Sequence, residues 1–136
     1  MKPLARNAFP VEVEGVTFSL LMPSALTTLA LRRILPREDE TDTTLIAARS
    51  ALIVAYLWDP ASVHGALDCA AALPPLAKAT AEELEAAGTM ALAELSEAGM
   101  SFTMLTALFI GGLRTMFGSN LAEGGKTATF TGARPG

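Results

Sequence analysis

The sequence is poor in the residues on which most enzymes and most nucleic-acid binders depend. It has one cysteine, Cys69, and one histidine, His64, in 136 residues. A single cysteine excludes an internal disulfide, and the two residues together cannot assemble a Cys/His metal cluster. Charged residues make up only 18% of the chain, against roughly 25% in an average soluble domain, and aromatics only 6%. Positive charge is the scarcer sign, with 10 Lys and Arg against 14 Asp and Glu. A net charge of −4 argues against an electrostatic nucleic-acid binder, which needs clustered Lys and Arg to displace phosphate counterions. A long hydrophobic run is missing too. One long uncharged stretch, Ala98 to Leu113, is 16 residues including three glycines. A bilayer span needs roughly 20 apolar residues, so no membrane segment is expected. Near the start, Lys2 and Arg6 lead into Pro10, Glu12 and Glu14 rather than an apolar stretch, and no signal peptide is read there. These features fit a reducing cytoplasm and call for no cofactor.

What is present is small and apolar: hydrophobic residues are 51% of the chain, and 25 residues are alanine. Alanine favours helix, so the expected fold is mainly α, in one domain over residues 1–117. Residues 118–136 are rich in Gly, Ser and Thr and read as an extended or flexible C-terminal tail. Between residues 9 and 20, apolar and polar residues alternate on both sides of Glu14-Gly15, the pattern of a short β-hairpin. About five helices packed as a small bundle should follow it. Ser24 opens a segment from Ala25 to Leu35 with Leu26, Leu29, Ala30 and Ile34 at helical spacing, stopped by Pro36. Asp42 can cap a long helix from Thr43 to about Trp58, whose apolar stripe is broken clearly only by Arg49; such a helix should be central. Asp59-Pro60 ends it. A weaker alanine-rich helix is expected from Ala61 to Leu73, closed by Pro74-Pro75. Thr80 and Glu83 form a capping box for a helix that Gly99 stops, and Ser101 caps a last helix through Phe117.

Candidate catalytic groups are few. His64 and Asp68 stand four apart in the expected helix and read as a surface pair. Cys69 lies about 140° from His64 on a helix, which points its sulfur away from the imidazole, so it reads as buried and inert. Gly124-Gly125-Lys126-Thr127 looks like the end of a phosphate-binding loop, but Asn120 stands where that motif's first glycine belongs. The sequence therefore reads as non-enzymatic. The last helix is more informative, because apart from Arg114 it is apolar nearly all round, which demands either full burial or a partner. Methionine is an adaptable side chain for such contacts. The candidate partner-binding residues are Met100, Phe102, Met104, Leu108, Phe109 and Met116, about half of them expected to face the core instead.

In the order of its features the chain resembles the tail assembly chaperones of long-tailed bacteriophages and phage-like gene transfer particles. The likeness rests on three places: the strand pair with Gly15 at its turn and Val16-Thr17-Phe18-Ser19-Leu20 leading to Pro23-Ser24; the long helix closing on Leu57-Trp58-Asp59-Pro60; and the junction from Glu94 to Ser101. It covers most of residues 9–117. The resemblance implies a non-catalytic protein of the host bacterial cytoplasm that binds the tape measure protein, keeps it soluble, and assists assembly with the tail tube protein. It also implies absence from the finished particle, and a longer frameshifted form, for which the Gly125-Lys126 codons could provide the slippery site. The alternative is a structural virion protein of a phage tail or neck, a homo-oligomer using the same apolar helix for self-packing.

Overall fold

The computed structural model describes residues 1–118. Strands β1 (Ala8–Val13) and β2 (Val16–Leu21) pair antiparallel from Ala8 opposite Leu21 to Val13 opposite Val16. The two-residue loop between them has Glu14 at φ 52° and Gly15 at φ 81°, the backbone of a type I′ turn, whose twist matches that of the strands. Alternation then places Val13, Phe18 and Leu20 in the core, with Glu12 and Thr17 on the solvent side.

Four α-helices follow: α1 (Ala25–Arg33), α2 (Thr43–Leu57), α3 (Ala81–Glu97) and α4 (Phe102–Phe117). Each begins where a side chain accepts orphan backbone amides. Ser24 takes Thr27, Asp42 takes Thr44 and Leu45, and Ser101 takes Met104. Thr80 and Glu83 complete their capping box. Helix α3 ends in a Schellman motif: Gly99 adopts φ 97°, and the amides of Met100 and Gly99 bond back to Leu95 and Ser96.

The architecture is mainly α with an N-terminal hairpin, but the described residues hold four α-helices, not about five. The fifth was expected over Ala61 to Leu73. That segment forms turns and a single 3-10 turn, Asp68–Ala72. Alanine propensity alone does not cover the cost of nucleating a short helix, and tertiary partners take its backbone instead. The Trp58 indole N–H donates to the Gly65 carbonyl at 2.7 Å. The Glu94 carboxylate, reaching over from α3, accepts the amides of Asp68 and Cys69 at 2.6 and 2.7 Å.

Helix α2 is central, as its wide apolar stripe requires: Ala51, Leu52, Ile53, Val54 and Leu57 are all buried. Helix α3 crosses it closely at Gly88, where an added Cβ would lie 2.8 Å from the Ala48 carbonyl oxygen. On its other side α4 packs at Gly112 against Leu57 and Leu20, and at Gly111 against Val11 of the hairpin.

Candidate partner-binding surfaces

The apolar character of α4 divides into two faces. Leu105, Leu108 and Gly112 are buried, and Met104, Phe109 and Met116 pack half-buried against the core, as does Met100 just before the helix. The outward stripe is Thr103, Ala107, Ile110 and Arg114, with exposed Phe102 at its start. Of the six expected partner-binding residues, Leu108 has no exposed surface, so as a contact residue it is corrected to core. Phe102 is 54% exposed and is the one that stands out on the surface. Phe102 and Met116 are also roughly 21 Å apart along the helix axis, so the six do not form a compact patch.

Large apolar side chains are exposed elsewhere. In α1 it is Leu31 that is buried, whereas Leu26 and Leu29 are 80% and 53% exposed. Met90 on α3 and Ile110 on α4 are exposed too. Helical spacing could not choose the buried face of so short a helix as α1, because apolar residues occur around its whole circumference.

A second feature was not legible from the pattern. An open cleft of about 560 Å³ lies between the end of α1, the first half of α2 and the first half of α3. Leu45, Ala48, Leu52 and Leu84 line its apolar part, and Ile34 continues it. Arg33, Arg49, Asp42 and Glu85 supply its charge. One sequence signal points here: Arg49, the charge that interrupts the stripe of α2.

The outer edge of β2 is closed to pairing, and that of β1 is interrupted. The outward carbonyls of β2 are occupied in turn: the His64 ring lies 3.1 Å from Thr17 O, the Asp59 amide donates to Ser19 O, and the Arg6 guanidinium donates to Leu21 O. On β1, Pro10 removes a donor from the free edge. His64 therefore does structural work. It stacks on Phe18 with ring centroids 4.8 Å apart, and no helix pairs it with Asp68 as expected.

Cys69 is buried, and its thiol is pushed up to about 11 by burial, with the hydrogen bond and negative charge of Glu94 adding to the effect. A thiol raised in this way is almost wholly protonated at neutral pH, which disfavours it as a nucleophile. Tyr56 is similarly raised to about 12 by burial, and its hydroxyl donates to the Pro74 carbonyl. Among the described residues no group of three or more His, Cys, Asp or Glu could hold a metal ion, and no helix is long and apolar enough to cross a membrane. The Gly124 to Thr127 motif, the Gly125-Lys126 pair and the expected tail beyond Gly118 lie outside the described residues.

No protein-family model matches the chain, and no curated protein or solved structure matches it.

Proposed function

We propose that this chain is a non-catalytic tail assembly chaperone, holding the tape measure protein soluble in the host cytoplasm while tail tube protein assembles on it. The observation that carries the reading is the scatter of Leu26, Leu29, Met90, Phe102 and Ile110 over the outside of three helices in a domain with little charge. Separated apolar side chains suit many weak contacts with a long client better than one tight site. Each 100 Å² of apolar area covered contributes on the order of 2–3 kcal/mol before ordering costs. The order of hairpin, long helix and α3–α4 junction adds the resemblance to the chaperone family.

The test is co-expression of the chain with the tape measure protein of the same gene cluster. More tape measure protein in the soluble fraction, and co-purification of the two, is the expected result. Replacing Phe102 and Ile110 with Asp should weaken the association without unfolding the chain, since both side chains are exposed. Met104 and Phe109 are unsuitable targets, because they pack on the core. A tape measure protein equally insoluble with and without the chain would sink the reading. Stoichiometric presence of the chain in purified particles would favour a structural virion protein instead.

A further inference from the structure

We infer that this chain self-associates, with the outward face of α1 in one copy lying along the outward face of α3 in another. The inference goes beyond the client-binding reading and does not depend on it. Charge is segregated between the two helices. Every charged residue from Gly15 to Arg37 is positive, namely Arg32, Arg33 and Arg37, and every one from Ala79 to Leu113 is negative.

The two outward faces also match in spacing. On α1, Leu26, Leu29 and Arg33 stand at i, i+3 and i+7, all exposed and turned away from buried Leu31. On α3, Met90, Ala93 and Glu97 stand at the same three positions, exposed and turned away from buried Ala87, Ala91 and Leu95. Residues so spaced form one stripe down a helix. Laid parallel, the helices put Leu26 at Met90, Leu29 over Ala93 and Arg33 at Glu97, each stripe covering about 10 Å of axis. Ala93, with Ala86 one turn before Met90, keeps the surface of α3 low, so the larger leucines fill the grooves that small side chains leave.

Glu97 supplies a second reason. It stands in the last turn of α3, at the negative end of the helix dipole, and that turn holds no basic residue. Among the described residues the one ion pair is Arg37 with Asp39, so Arg33 and Glu97 are both unpaired there. A guanidinium from another copy answers the carboxylate and the dipole together. The charges beside the stripes do not cancel this. Near α1, Asp39 pairs with Arg37, Asp42 caps α2 and Glu40 accepts the Asp42 amide, which leaves Glu38. Arg32, at the edge of the stripe, lies over the Phe117 ring. On α3, Glu94 is committed to the amides of Asp68 and Cys69, and Lys78 precedes the first turn, at the far end from Glu97.

Every copy carries both faces, so the acidic stripe that complements α1 is present at the same concentration as α1 itself. The contact joins unlike surfaces, and it either closes as a pair or continues into a chain. The net charge of −4 opposes association and the stripes are short, so a Kd on the order of 100 μM is expected. A client that covers Leu26, Leu29 or Met90 competes with the contact, whereas Phe102 and Ile110 stay uncovered.

Sedimentation of the full chain between about 10 μM and 1 mM should show a mass that rises with concentration. Arg33→Glu and Glu97→Arg should each weaken self-association at least roughly tenfold, because each brings like charges together. An equimolar mixture of the two variants should restore it, since each then meets its complement. Met90→Asp should abolish it and Phe102→Asp/Ile110→Asp should leave it unchanged, with circular dichroism confirming that all variants fold. Amide shifts with rising concentration should centre on residues 26–33 and 90–97. The proposal is overturned if the wild type stays monomeric over this range, if either single reversal associates as the wild type does, or if the mixture fails to restore association. It is also overturned if the shifts centre on α4, or if the wild type is monomeric and the α1 and α3 amides shift on adding tape measure protein, which gives these faces to the client. Co-expression keeps the two readings apart. Tape measure protein left insoluble by a chain that self-associates sinks the chaperone reading and leaves the contact standing. Tape measure protein retained by a chain that stays monomeric does the reverse.

Discussion

Glu14 is the one non-glycine residue among those described with a positive φ, and its carboxylate does nothing for the turn that forces it there. A left-handed backbone costs an ordinary L residue on the order of 1 kcal/mol, and asparagine tolerates it better. Glu14→Asn should therefore raise stability by about 0.5–1 kcal/mol, read as a higher urea midpoint at unchanged slope. A midpoint that stays the same or falls would place no strain in the turn. Two other carboxylates serve the fold directly. Asp59 is held below the usual carboxylate range by the Ser19 hydroxyl and the Ala61 amide. Glu94 is pushed up by burial, but the amides of Cys69 and Asp68, helped by the Cys69 thiol, outweigh this and lower it. Because both are lowered on folding, the unfolded chain binds more protons as pH falls. Their contribution is complete above the ordinary carboxylate range and is lost as pH falls through it towards the folded values. The wild type should accordingly lose more melting temperature between about pH 5 and pH 3 than an Asp59→Asn/Glu94→Gln variant. Equal losses would assign the acid sensitivity to other groups.

At the scale of elements, the boundaries were legible because capping is local chemistry. Ser24, Asp42, Thr80, Gly99 and Ser101 all act where the sequence places them, since each needs only backbone groups within a few positions. Which face an element buries is decided by its neighbours. Nothing within α1 distinguishes Leu31, which is buried, from Leu26 and Leu29, which are not. The packing of α4 on β1 depends likewise on a contact between distant parts of the chain. An added Cβ at Gly111 would lie 2.5 Å from Cγ1 of Val11, a branched side chain with little rotamer freedom. Gly111→Ala gains about 1 kcal/mol of helix propensity but overpacks this contact, which typically costs about 1–3 kcal/mol, so a net loss of stability is expected. Adding Val11→Ala should recover part of it, and a double-mutant cycle measures the coupling. Additive effects would mean that α4 and the hairpin adjust independently. No such rescue is available for Gly88→Ala, where the obstacle is the backbone carbonyl of Ala48.

For the whole molecule, low charge suggested a missing cover over α4, and the tertiary structure redistributes that apolarity. Most of α4 is satisfied by α2 and the hairpin, while the exposed side chains lie on three helices and the arginines gather at a cleft no single helix contains. Composition, caps and the alternation around Glu14-Gly15 determined a hairpin followed by helices with α2 at the centre, because these are properties of neighbours in sequence. Only packing could decide that Ala61 to Leu73 forgoes a helix, that Leu108 is core and Phe102 surface, and that Arg33 and Arg49 face one space. The reason is physical: burial and charge pairing depend on groups brought together from distant positions, and a helix's own periodicity carries no record of which neighbours will arrive.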